Sequence, residues 1–167
     1  MEELDICPED YLDGISMGQR KKAYIAFALA CQLRYLFMDE PANGLDIPSK
    51  AVFRRLLASF ITPERTVVIS THQVADIQHL VDNVVIMDSD GILLNETIER
   101  IGQMLRFGAM EPGDTALWGQ DTLLGRVGVT ENTNGKDSIV DIEMLFNAVQ
   151  SNKERILGMM NDNNRLR

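Results

Sequence analysis

Two short apolar runs, Tyr35-Leu36-Phe37-Met38 and Thr66-Val67-Val68-Ile69, stop abruptly at polar residues, Asp39-Glu40-Pro41 after the first and Ser70-Thr71-His72 after the second. Runs this short and this continuous predict strands buried on both faces. Between them, Pro48 to Phe60 predicts a helix that puts Val52, Phe53, Leu56 and Leu57 on one face. Another helix precedes the first run. Ser16 suits its N-cap, residues 20 to 33 hold no glycine or proline, and Ala23 to Ala30 is apolar nearly all round, which predicts a mostly buried helix. Helical residues are expected to follow the second run as far as about Leu80. Val84 to Met87 and Ile92 to Leu94 then flank Asp88-Ser89-Asp90-Gly91, the pattern of a hairpin.

The order strand, helix, strand, helix, hairpin predicts an α/β fold whose parallel sheet is covered on both faces. In such sheets ligands bind beyond the carboxyl ends of the strands. Both apolar runs end there in reactive side chains, Asp39 and Glu40 on one and His72 on the other. After Thr97 the texture changes: Gly102, Gly108, Gly113, Gly119, Gly125, Gly128 and Gly135 punctuate short apolar pieces. Ile139 to Val149 then reads as a helix, with Ile142, Leu145, Phe146 and Val149 at helical spacing. Residues 1–96 are therefore taken as one unit, residues 97–150 as a small appended α+β unit, and residues 151–167 as a short helix and polar tail. Trp118 is assigned to the core of the appended unit.

Composition narrows the function. Acidic residues outnumber basic ones, 25 to 16, for a net charge of −9, so nucleic acid is not expected as a partner. Hydrophobic residues make up 45% of the 167, enough for a packed core. The two cysteines, Cys7 and Cys31, form no C-x-x-C pair and read as free thiols of a reducing compartment. No signal peptide is expected, since residues 2 to 16 hold six acids and no base. The longest apolar stretch, Ala23 to Cys31, is too short to cross a bilayer. His79 has no neighbouring cysteine and reads as a surface or half-buried histidine, and Arg20-Lys21-Lys22 as the solvated start of a helix.

An Asp-Glu pair at a strand end can form the floor of a phosphate site. One carboxylate can hold Mg²⁺ through its water shell, and the next can orient or deprotonate an attacking water. The run Tyr35-Leu36-Phe37-Met38-Asp39-Glu40-Pro41-Ala42-Asn43-Gly44-Leu45-Asp46 resembles the extended Walker B and D-loop of ATP-binding cassette (ABC) ATPases. Upstream, Ile15-Ser16-Met17-Gly18-Gln19-Arg20 resembles their signature motif, and Ser70-Thr71-His72 resembles their switch histidine. The three motifs stand in the family's order, and the resemblance covers residues 10 to about 96.

The resemblance implies the C-terminal part of a P-loop NTPase fold, with signature helix, parallel sheet and terminal hairpin. It implies ATP and Mg²⁺ as cofactors, with Asp39 for Mg²⁺, Glu40 as catalytic base and His72 as a γ-phosphate contact. Ser16, Gly18 and Gln19 would touch ATP held by a second cassette, in a homodimer or heterodimer, and Asp46 would link the two sites. Ser16 and Gly18 also suit an anion physically, through free N–H groups at a helix start and an unobstructed backbone. The partners implied are that second cassette and transmembrane permease subunits, placing the chain in the cytoplasm at the inner face of the plasma membrane. Asn43-Gly44-Leu45-Asp46 looks more like exporter cassettes than soluble relatives.

Two departures stand against this. Met17 occupies the position of the signature's first glycine. The phosphate-binding loop G-x-x-x-x-G-K-[ST] is absent, and the only Gly-Lys pair, Gly135-Lys136, precedes Asp137. The adenine platform and glutamine loop are missing as well, so the chain reads as a truncated cassette, inactive alone. The alternatives are a non-transport ABC ATPase and a non-catalytic remnant that binds a partner. The transported substrate is not legible.

Overall fold

The computed structural model describes residues 11–133 and 135–162, which divide into two compact units, one running up to Leu80 and the other from Val81 onward.

The first unit opens with helix α1, Met17–Ala30. Ser16 caps it reciprocally: its Oγ accepts from the Gln19 N–H at 3.2 Å, while its own N–H donates to Gln19 Oε1 at 3.1 Å. Such a capping box satisfies two otherwise orphaned donors. Only Ile25 and Leu29 of α1 are buried, while Tyr24 is 57% and Phe27 72% exposed. The expectation of a mostly buried helix is thus corrected, because α1 packs on one side only, against the second helix. That helix, α2, spans Ile47–Phe60 and buries Phe53, Leu57 and Phe60.

Strands β1, Tyr35–Asp39, and β2, Thr66–Ser70, pair in parallel from Tyr35↔Thr66 to Asp39↔Ser70. The strand and helix positions follow the apolar pattern. The cover does not. Side chains alternate across a sheet, and Tyr35, Phe37 and Val68 share the face that remains exposed, with Phe37 at 75%. Leu36, on the opposite face, is buried. A sheet covered on both sides was expected, so this is a second correction: the strands carry apolar residues for two layers and this unit supplies one. Residues 72–80 form only a one-turn 3₁₀ helix, Val74–Asp76, and turns, where a helix was expected. Asp76 is drawn to α2 by ion pairs with Lys50 at 2.7 Å and Arg54 at 3.5 Å, and the Thr71 hydroxyl accepts from the Gln73 N–H at 2.9 Å. Local side-chain bonds of this kind compete with helix formation.

The second unit begins with the expected hairpin, β3 (Asn83–Asp88) against β4 (Gly91–Thr97), closed by Asp88 Oδ1 accepting from the Asp90 and Gly91 N–H groups. Helix α3, Ile98–Met104, leads into a three-stranded antiparallel sheet of β5 (Leu105–Ala109), β6 (Ala116–Thr122) and β7 (Gly125–Glu131) in the order β5-β7-β6. Helices α4, Ile142–Ser151, and α5, Lys153–Asp162, complete the unit, with α4 against β6 and β7 and α5 against β4. Ile101, Leu105, Val129, Leu145, Val149 and Ile156 form its fully buried centre. Trp118 is half-buried, and its neighbour Leu117 takes the core position instead, at the point where the register of β6 against β7 shifts between Ala116 and Trp118. Among the described residues, no helix is long and apolar enough to cross a membrane.

Candidate functional site

The parallel register of β1 and β2 brings their carboxyl ends level, so Asp39 lies opposite Ser70 and the residues just beyond meet. Ser70 Oγ donates to Asp39 Oδ1. The Glu40 N–H donates to the Ser70 carbonyl at 2.8 Å, extending the ladder by one rung. There the backbone reverses, with Glu40 at φ +45°, in the left-handed region that few residues other than glycine adopt. This turn carries the Glu40 carboxylate across to the β2 end. Oε1 accepts from the His72 N–H at 2.9 Å and faces His72 Nδ1 at 2.6 Å, while Oε2 accepts from Thr71 Oγ1 at 2.9 Å.

Partial burial pushes the Glu40 carboxyl up, but the hydrogen bonds from His72 and Thr71 and the charge of His72 outweigh it and hold the group below its ordinary value. Glu40 is therefore a carboxylate at neutral pH, and His72 presents Nδ1–H to it. The His72 side chain is 71% exposed, so the rest of the ring is open to a ligand.

The remaining candidate residues lie outside this cluster. Ser16 and Gln19 are bonded to each other in the α1 cap, and Met17 projects 81% exposed, so its bulk leaves the cap intact. Gly18 faces the loop after β1: a Cβ placed on it would meet the Gly44 carbonyl at 3.7 Å, an ordinary contact. Asp46 caps α2, with Oδ1 accepting from the Ser49 N–H at 2.9 Å, and that bond holds its carboxyl below the ordinary value. Among the described residues, no three His, Cys, Asp or Glu side chains converge on a metal site. Asp39 alone, exposed at a strand end, offers one carboxylate. That suffices for Mg²⁺, which keeps most of its waters and takes one or two carboxylates beside phosphate oxygens.

Two participants were not legible as such. Thr71 lay inside the switch motif without a role. Lys21 was read as part of a solvated helix start, yet its Nζ donates to the Glu40 carbonyl, 19 positions away. The available signal was helical spacing: Gly18, Lys21, Ile25 and Leu29 fall on one stripe of α1, and its last two members are buried.

No family model matches the chain. It is 31% identical over 96 residues to the ABC transporter ATP-binding protein NatA of Bacillus subtilis, a match covering 55% of this chain and 39% of that protein. It is also 31% identical over 94 residues to the energy-coupling factor transporter ATP-binding protein EcfA2 of Mycoplasmoides gallisepticum, covering 56% of this chain and 28% of the other. The chain thus spans well under half the length of these relatives. A crystal structure of a cobalt transport ATP-binding protein shares its fold, with a TM-score of 0.51 over 95% of this chain and 57% of the other at 18% identity. Over about half its length this chain is therefore homologous to the ATP-binding proteins of ABC transporters, and its α/β fold fits the C-terminal part of their cassette.

Proposed function

We propose that the chain forms the signature, Walker B, D-loop and switch-histidine portion of an ABC-type ATPase that powers an exporter as a subunit beneath separate permeases. The observation that carries this reading is the Glu40 carboxylate, clamped by Thr71 and His72 at the joint end of β1 and β2.

A carboxylate offers about four acceptor positions. Three are taken by Thr71 Oγ1, His72 N and His72 Nδ1, which leaves one, on Oε2, for a water. With its pKa held down, Glu40 orients that water more than it deprotonates it. Phosphoryl transfer through a loose transition state asks for little more from this residue. His72, held to Glu40 through Nδ1, would meet the γ-phosphate with the other ring nitrogen. Mg²⁺ held at Asp39 would neutralise phosphate charge. Ser16, Gly18 and Gln19 would meet ATP on a second cassette, and Asp46 would connect the two sites. Assembly with permeases would hold the chain at the cytoplasmic face of the membrane.

The 167 residues contain no G-x-x-x-x-G-K-[ST] cradle. The exposed Tyr35, Phe37 and Val68 further support a reading in which a nucleotide-binding segment packs on the open face of β1 and β2. The chain alone is accordingly expected neither to bind ATP tightly nor to hydrolyse it. Joined in frame to such a segment from a relative, it is expected to hydrolyse ATP, and Glu40→Gln to abolish turnover while leaving ATP binding intact. Mg²⁺-dependent turnover by the 167 residues alone, removed by Glu40→Gln, would overturn the dependence on a further segment. Normal hydrolysis by Glu40→Gln in the joined protein would overturn the assignment of Glu40.

A further inference from the structure

We propose that Lys21 is the positioning residue of Glu40: its ammonium holds the Glu40 carbonyl and so fixes the left-handed turn that presents the carboxylate to Thr71 and His72. This deepens the proposed role of Glu40 and rests on it.

A residue with a side chain stays in the left-handed region only where its surroundings hold both ends of the peptide. At Glu40 the N–H is held by the Ser70 carbonyl at 2.8 Å. The carbonyl has two lone pairs. One accepts from the Asn43 N–H at 3.3 Å, a long bond made within the turn itself. The other accepts from Lys21 Nζ, a charge-assisted bond from a different element. Pro41 and Ala42, immediately after, are buried, so the turn cannot relax on that side without moving them. Lys21 is thus the tie from outside the turn that sets the carbonyl's direction, and the carboxylate's direction follows from it.

The geometry gives Lys21 a second property. It stands three residues after Gly18 on α1, and a Cβ on Gly18 would reach the Gly44 carbonyl, further along the same loop, at 3.7 Å. Helix α1 therefore stands beside the loop after β1 at two points, by a side-chain bond at Glu40 and by the approach of Gly18 to Gly44. A shift of the α1 start reaches the Glu40 carboxylate through one lysine side chain.

The test uses NMR of the whole chain and needs no nucleotide, so it is independent of whether the chain takes part in ATP hydrolysis. Lys21→Met keeps the aliphatic stem and removes the donor. The expected result is that the Glu40 Cα and Cβ shifts lose their left-handed signature. Lys21→Arg should restore that signature, and Lys22→Met should leave it unchanged. A folded Lys21→Met chain whose Glu40 Cα and Cβ shifts match those of the unsubstituted protein would overturn the proposal. Should that variant fail to fold, the unsubstituted chain decides: the Lys21 Nζ protons should exchange with water several-fold more slowly than those of Lys22, and equal rates would overturn the proposal.

Discussion

Glu40 combines two features that oppose each other, a strained backbone and a strongly hydrogen-bonded side chain. A left-handed residue with a side chain costs about 1–2 kcal/mol, and at Glu40 the bonds from Lys21, Thr71 and His72 offset it. The carboxyl's folded pKa is below its unfolded one. Its contribution to stability is therefore complete above the ordinary glutamate value of 4.5 and is lost as pH falls through the lowered value. Urea midpoints measured downward from neutral pH should fall in that acid window, and Glu40→Gln should reduce the fall. The Asp46 cap lends itself to a simpler measurement. Asp46→Ala removes the acceptor for the Ser49 N–H and should cost about 1 kcal/mol in urea unfolding. Neither Lys21 nor Thr71 announced these bonds in the sequence, because their partner lies 19 and 31 positions away and only the fold brings them together.

At the scale of elements, the strands and hairpin were legible because their apolar runs are bounded by turn residues: Asp39-Glu40-Pro41 ends β1, and Asp88 to Gly91 closes β3 to β4. Helices α1 and α2 were legible from Ser16 and Pro48 at their starts, while the Asp46 cap of α2 emerges only in the structure. The stretch after His72 was misread since its composition permits a helix, while the ion pairs of Asp76 with Lys50 and Arg54 decide against one. In the β5-β7-β6 sheet one glycine, Gly128, is demanded by space. A Cβ on Gly128 would stand 2.3 Å from the Trp118 carbonyl, closer than atoms can approach. Gly128→Ala should therefore force β6 and β7 apart and destabilise the second unit by roughly 1–3 kcal/mol, read as a lower thermal midpoint.

For the molecule as a whole, the exposed face of β1 and β2 matters most. Tyr35, Phe37 and Val68 already meet water, so Phe37→Thr should change stability by no more than about 0.5 kcal/mol. The same substitution should reduce self-association in light scattering, since exposed apolar patches drive it. An unchanged scattering profile would show that this face is not a sticky one. The open face also shapes how the chain responds to denaturant and heat. Both the urea m-value and the heat-capacity increment scale with the apolar surface newly wetted on unfolding. The side chains of this face are wet before unfolding begins. They add almost nothing to either quantity, and the chain's transition should be broader and its stability curve flatter than its length alone predicts. A segment that packed on the face would steepen both without altering a single bond inside the site.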